Sequence, residues 1–112
     1  NLLERLEDKN LIWRQKVNYE LKNKYKKIFN LIDVLIFLKV PSFKHVYKWR
    51  LLQEKKLKKI SKGKKIMSNK QVKKFIMFYE RITRHMLKTL GSMSEVVINI
   101  DTKHCLKSVK FN

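Results

Sequence analysis

The chain has 112 residues, of which 44% are hydrophobic, and it carries a formal charge of +19. This length predicts one domain or part of one. No apolar run is long enough to cross a bilayer, no secretory signal peptide is present, and the single cysteine, Cys105, excludes an internal disulfide. We therefore expect a cytoplasmic protein without a membrane partner. A start at Asn1 rather than Met predicts that the chain is cut from a longer protein.

The positive charge has two interpretations. It comes from 23 lysines and five arginines against nine acidic residues. A strongly basic chain favours nucleic acid or another anionic surface as partner. Base recognition depends mostly on arginine, however, and a bias toward Lys, Ile and Asn also arises from an AT-rich genome. The charge therefore leaves nucleic-acid binding open as an alternative.

The first forty residues predict a helix followed by a strand. Residues 1–10 are polar and predict irregular structure or a short helical turn. Residues 11–30 predict one amphipathic helix, because apolar side chains recur every three or four positions. These are Trp13, Val17, Leu21, Tyr25, Ile28 and Ile32. Residues 34–40 form an apolar run typical of a parallel strand covered on both faces, although the chain supplies too little material to cover it.

A proline corner and a second helix follow this strand. Pro41 cannot donate to a strand ladder, and Ser42 is placed to cap the next helix. The apolar stripe of that helix consists of Phe43, Val46, Tyr47, Leu51 and Leu57. Two opposite charges, Arg50 and Glu54, share the same face. Residues 61–67 then predict a mobile basic loop, either a solvated linker or a flap over an anionic ligand.

The last third of the chain predicts one long helix and two strands. Ser68 and Gln71 form a capping-box pattern at the start of the helix, and Gly91 is expected to end it. Residues 95–100 and 105–111 read as strands, the second of them antiparallel to the first. The predicted order is helix, strand, helix, helix, strand, strand, which is an α/β fold.

No complete catalytic site can be recognised in the sequence. Neither glycine belongs to a G-x-x-x-x-G-K-[ST] phosphate-binding loop. The three histidines and the cysteine do not stand at ligand spacing, so we predict no metal site.

Arg50 and Glu54 allow two interpretations. As structure, they are an i,i+4 pair that fixes helix packing, although Arg before Glu is the weaker order. As function, Arg50 reaches a phosphate group and Glu54 orients its guanidinium. The residue pattern alone leaves both interpretations open.

Two helix motifs carry a family resemblance. They are Trp49-Arg50-x-x-Gln53-Glu54 and Tyr79-Glu80-Arg81-x-Thr83-Arg84-His85, accompanied in register by Trp13-Arg14-x-x-Val17-Asn18, Pro41-Ser42-Phe43 and Met67-Ser68-x-x-Gln71-Val72. With these motifs the chain resembles the C-terminal part of the D-glycerate 3-kinase-like P-loop kinases, especially bacterial members, which are distantly related to uridine and pantothenate kinases. The resemblance implies the C-terminal half of a doubly wound P-loop kinase sheet, with the N-terminal half absent.

The resemblance also implies how this partial domain is divided. Residues 1–40 would supply a helix and the core strand, residues 41–67 a lid-like helix with its basic loop, and residues 68–112 the long helix and terminal strands. ATP and Mg²⁺ would bind to the intact protein. The phosphate loop, the magnesium ligand and the catalytic carboxylate would lie in the missing half, so this chain alone should be inactive.

Residue roles follow from the same resemblance. Arg50 on the lid would meet the transferring phosphoryl group, and Lys55 and Lys56 would contribute to nucleotide binding. The candidate substrate-binding residues are Arg14, Asn18, Gln53 and Glu54, the first two on the acceptor side. The acceptor would be a small alcohol, for which the family name suggests glycerate.

Two other interpretations remain. One is a small basic nucleic-acid-binding module that uses the lysines between residues 55 and 65. The other is a helical interaction domain without chemistry.

Overall fold

The computed structural model describes residues 1–61 and 65–112. The elements are α1 (Leu2–Glu7), α2 (Ile12–Asn23), α3 (Tyr25–Phe29), β1 (Ile36–Lys39), α4 (Phe43–Ile60), α5 (Asn69–Met93), β2 (Val96–Ile100) and β3 (Leu106–Phe111). The predicted mixed α/β class and the order of its main elements are confirmed. Part of the predicted basic loop, residues 62–64, lies outside the described residues. Within the described residues, no helix has the length and apolar content needed to cross a membrane.

The three strands form one sheet in the order β1-β2-β3. β1 runs parallel to β2, with Ile36 opposite Val96, whereas β3 runs antiparallel to β2, with Phe111 opposite Val96. The predicted antiparallel pairing of the last strand is therefore confirmed. A parallel pair needs a long crossover connection, and α4 and α5 make it here.

Only one face of the sheet is covered within the described residues. Phe37 and Val97 lie opposite each other and are 7% and 4% exposed. A Cβ atom added to Gly91 of α5 would lie 3.8 Å from Nζ of Lys39, which places α5 on this face. The apolar run of β1 is typical of a strand covered on both faces, and we predicted that this chain supplies too little material to cover it. Its other face stays exposed, because the elements present supply no second layer.

The uncovered face is apolar. Side chains alternate along a strand, so the residues paired with Ile36 and Leu38 share their side of the sheet. The exposed members of this open sheet face are Ile36, Leu38, Val109 and Phe111, with Ile98 partly buried between them. The largest, Phe111, is 76% exposed. An apolar surface of this kind marks an interface more often than an ordinary solvated surface.

A second layer of packing joins α4 to α5. Phe43, Val72 and Ile76 are its buried centre, with Val46, Tyr47, Leu51 and Met67 packed around them. The capping box that starts α5 is confirmed: Ser68 Oγ accepts the Gln71 N–H, and Gln71 Oε1 accepts the Ser68 N–H.

The predicted end of α5 is wrong, whereas the predicted start of α4 after Ser42 is confirmed. α5 does not end at Gly91 but continues to Met93, because its last turn is closed by a bond from the Ser94 N–H to the Leu90 carbonyl. Ser42 occupies the predicted N-cap position of α4, but its side chain makes no bond to the backbone of this helix. Its Oγ instead lies 3.0 Å from Nδ1 of His45, so the hydroxyl is used by a side chain.

The N-terminal helices differ most from expectation. The predicted short turn is the six-residue helix α1, capped by Asn1 and tied to α5 by a bond from Asn1 Nδ2 to the Met77 carbonyl. The predicted single helix over residues 11–30 is divided into α2 and α3. Asn23 Nδ2 donates to the Tyr19 carbonyl just before the break, and such local bonds compete with the helix. No residue of α2 or α3 is buried.

These open surfaces give the chain a flat shape. Its extents are 42 × 41 × 22 Å and its radius of gyration is 16.6 Å. A compact chain of this length has a radius of gyration of about 13 Å. The architecture is therefore a slab rather than a closed globule.

A carboxylate ties the start of β1 to the start of β2, and its effect depends on pH. Glu95 Oε2 accepts the Leu35 N–H at 2.7 Å. This bond, together with the N–H of Glu95 itself, holds the pKa of Glu95 below its ordinary value of 4.5. A depressed pKa adds stability that is complete above the unfolded-state value and is lost as pH falls through the folded-state value.

We therefore predict that Glu95→Gln is less stable than the native chain at pH 7 and that the difference disappears on acidification below pH 4.5. Urea unfolding followed between pH 7 and pH 3 measures it. Asp33→Asn, which removes an exposed carboxylate nearby, is the control and should change little. A difference that stays constant with pH would contradict the assigned cause.

Candidate functional site

A first cleft lies at the carboxyl ends of the two parallel strands. Its volume is about 610 Å³, and β1, the corner after it, the end of β2 and the start of β3 line it. Two lysines, Lys39 and Lys107, and the polar side chains of Asn99 and Asp101 lie in its wall. Open α/β sheets bind ligands at this end of their strands.

A second cleft adjoins the first, and Val40 lines both. Its volume is about 540 Å³, and it lies between α4 and the turn that joins β2 to β3. Its polar wall consists of Arg50, Gln53, Lys56 and His104. None of the described residues that line this cleft is acidic, so the cleft suits an anionic group.

The guanidinium of Arg50 is held from two sides. Nη1 donates to Oε1 of Gln53 at 2.7 Å, and Nη2 lies 2.6 Å from Oε1 of Glu54. The Arg50 guanidinium also lies over the ring of Phe75, 5.6 Å from its centroid. The Arg50 side chain remains 25% exposed. An arginine oriented in this way loses little freedom when it binds a phosphate or carboxylate.

Glu54 has a structural function in this arrangement. Its side chain is 7% exposed, and its second oxygen accepts the Met67 N–H at 3.0 Å. The carboxylate therefore connects α4 to the segment before α5 while it pairs with Arg50. Glu54 does not line the second cleft.

The predicted site residues separate into two groups. Arg50, Gln53 and Lys56 are brought together in the second cleft, and Lys55 is exposed outside it. Arg14 and Asn18 lie on α2 and do not line either cleft.

Arg14 is bound to the N-terminal segment instead. Its Nε lies 2.8 Å from Oδ2 of Asp8, and its Nη2 donates to the Asp8 carbonyl. Burial alone would raise the pKa of Asp8. The hydrogen bonds from Arg14 and from the Trp13 N–H outweigh burial and lower that pKa. The Arg14–Asp8 pair fixes the start of α2. Asn18 lies on the same helix and is exposed.

One contact between the two halves of the second cleft was not predicted from the sequence. The ring of His104 stacks on Trp49 with centroids 4.1 Å apart and planes 12° apart. His104 adopts the left-handed backbone region, with φ 70°. The two residues are 55 positions apart, so no local spacing could predict the contact. The one available signal was the motif position of Trp49 directly before Arg50.

No cluster of three side chains that could hold a metal ion occurs in the part of the chain that the structure describes.

Comparisons with known proteins give one significant relationship. The chain is 37% identical over 100 residues to the uncharacterized kinase mug58 of Schizosaccharomyces pombe. The match covers 88% of this chain and 32% of that protein, so the chain spans about a third of the length of its relative. No family model matches the chain, and no solved structure matches it. The chain is thus similar to one part of a kinase-related protein.

A double-mutant cycle tests whether the Arg50–Glu54 pair is a unit. Glu54→Ala should destabilise the chain by about 3 kcal/mol or more, because it leaves Arg50 and the Met67 N–H without their buried partner. Arg50→Ala should cost less, since its side chain is partly exposed. The double variant should be less destabilised than the sum of the two, by about 0.5–3 kcal/mol.

Chemical denaturation of the four proteins measures this coupling. Glu80→Ala, which breaks the more exposed pair with Arg84, is the matched control. Additive effects of the Arg50 and Glu54 substitutions would show that the two side chains act independently.

Proposed function

We propose that this chain is the lid-bearing C-terminal part of an ATP-dependent small-molecule kinase of the glycerate kinase-like P-loop group. The observation that carries the proposal is the position of Arg50 and Lys56. Both line a cleft that adjoins the carboxyl ends of a parallel strand pair. The similarity to a kinase over 100 residues supports the same function.

The chemistry of phosphoryl transfer fits this arrangement. Such transfer depends on positioning and on neutralising charge over the phosphoryl oxygens. Arg50, already oriented by Gln53 and Glu54, would meet the transferring group, and Lys56 would contact the nucleotide phosphates. Lys55 would contribute through its charge alone, because it lies outside the cleft.

The first cleft would lie beside the nucleotide base, at the ends of β2 and β3. The phosphate-binding loop, the Mg²⁺ ligand and the catalytic carboxylate would come from a part of the larger protein outside these 112 residues. The chain alone would then be inactive.

The acceptor in this proposal is a small hydroxy acid such as glycerate. Arg14 and Asn18 would serve the acceptor side, which requires the exposed face of α2 to border the acceptor pocket in the complete protein. A carboxylate-bearing acceptor suits the excess of positive charge on this chain.

Substitution of Arg50 tests the proposal in the complete protein that carries this chain. Arg50→Ala should lower the rate of ATP-dependent phosphorylation at least tenfold, which corresponds to an activation free energy higher by about 1.4 kcal/mol. The reason is that the negative charge on the phosphoryl group in the transition state would no longer be neutralised by the guanidinium. Phosphorylation of glycerate and a panel of small alcohols, followed through ADP release, measures it.

Arg5→Ala is the matched control, since Arg5 lies on α1 and lines neither cleft. Native turnover by Arg50→Ala would remove Arg50 from the reaction. Absence of ATP-dependent turnover in the native protein would remove the kinase function.

A nucleic-acid-binding function is the alternative proposal. One observation favours it: Lys44, Lys48, Lys55 and Lys59 are all exposed on one face of α4. Such a lysine stripe can follow a phosphate backbone. Arg50 and Lys56 do not belong to this face.

This alternative predicts binding to DNA or RNA that weakens steeply as salt rises, by about 0.9 in log affinity per log salt for each phosphate neutralised. Replacement of the four stripe lysines by Gln should abolish the binding. An equal loss of charge elsewhere, at Lys9, Lys22, Lys26 and Lys27, should leave most of it. Fluorescence anisotropy at several salt concentrations distinguishes the two results, and equal losses would exclude the stripe as the site.

A further inference from the structure

We propose that the stack of His104 on Trp49, here called the Trp49–His104 latch, positions the lid helix α4 and thereby Arg50 for phosphoryl transfer. The inference rests on the proposed kinase function. It assigns His104 and Trp49 as positioning residues, which act through Arg50 and not on the substrate themselves.

The turn that carries His104 is internally braced. Oδ1 of Asp101 accepts the N–H groups of Lys103 and Cys105, and the Asp101 N–H donates to the Cys105 carbonyl. The His104 N–H closes the turn on the Asp101 carbonyl at 3.2 Å. His104 is held in the left-handed region, which is uncommon for residues with a side chain. The turn thus presents the imidazole from a defined position at the carboxyl end of β2.

On the helix side, the latch residue Trp49 lies next to Arg50. Trp49 directly precedes Arg50 on α4, and its ring also contacts His45 one turn earlier, at 5.8 Å between centroids. Stacked rings lose their overlap when they slide by a few ångströms. A displacement of α4 relative to the sheet would therefore open the latch.

The latch also connects the two clefts. His104 lines the second cleft together with Arg50 and Lys56, and Asp101 at the base of the same turn lines the first. When the rings are stacked, the guanidinium of Arg50 is kept at a set distance from the carboxyl ends of β1 and β2. When the rings separate, α4 stays attached through the corner after β1 and through α5. The distance between the Arg50 guanidinium and the carboxyl ends of the strands is then no longer fixed.

Backbone hydrogen exchange tests the latch without reference to activity. In the complete protein, Trp49→Leu and His104→Asn should speed exchange of the α4 amides about 2- to 10-fold, as expected for the loss of one aromatic stack. Asn tolerates the left-handed region, so His104→Asn removes the ring and retains the turn. Trp49→Phe retains an aromatic ring at position 49, so its α4 amides should exchange nearly as slowly as those of the native protein. Lys103→Ala, in the same turn as His104, should leave the exchange of α4 unchanged.

Kinetics test the positioning of Arg50. His104→Asn should lower kcat and leave KM for ATP within about twofold, because an interaction made in the transition state is lost. Combined with Arg50→Ala, it should lower kcat no further than Arg50→Ala alone. A structural effect would instead reduce activity additively and loosen α5 as well as α4.

Unchanged exchange in α4 would overturn the latch. Faster exchange with an unchanged or additive effect on kcat would overturn its action through Arg50. Absence of ATP-dependent turnover in the native protein would overturn the kinase function, and the exchange experiment would still decide whether the latch holds α4.

Discussion

The parallel pairing of β1 with β2 is the constraint on which the rest of the structure depends. Parallel strands need a crossover, and the chain makes it with α4 and α5. The pairing brings the carboxyl ends of both strands to one edge of the sheet. α4 begins just beyond the end of β1, and the turn with His104 begins just beyond the end of β2. The adjoining clefts, and the cationic side chains in them, follow from this geometry.

Among the residues that the structure describes, the same pairing leaves several surfaces uncovered. β1 is an edge strand, the open sheet face is apolar, and the side chains of α2 and α3 are exposed. Parallel strands are normally buried on both faces. The flat shape and these surfaces agree with the proposal that the chain is one part of a larger kinase. The Schizosaccharomyces pombe relative is about three times as long as the segment that this chain matches.

Local patterns in the sequence predicted the elements that depend on local interactions. Apolar periodicity located α4 and α5, and the Ser68–Gln71 capping box located the start of α5. The pattern failed where a nearby side chain offered another hydrogen bond, as Asn23 does at the break between α2 and α3. The apolar periodicity of α2 did not indicate burial, because periodicity describes which face is apolar and not whether anything lies against it.

The candidate site shows the same division. Helical spacing placed Gln53 and Glu54 within reach of Arg50, and the structure brings all three together. Spacing could not predict that Glu54 also accepts the Met67 N–H, since that bond depends on how the chain returns after α4. The stack of His104 on Trp49 depends on the sheet itself. Contacts between distant segments were thus the part of the site that the sequence alone could not supply.

If the chain is one part of a larger kinase, as we propose, β1 is an interior strand of that protein's sheet and pairs on its outer side with a strand from outside these 112 residues. Residue-resolved amide hydrogen exchange over Ile36–Lys39, measured in the complete protein, tests it most directly. In an interior strand, the amides pointing away from β2 should be protected from exchange nearly as strongly as those bonded to β2, within about tenfold. Exchange of these outward amides at the rate of an exposed edge strand would contradict it.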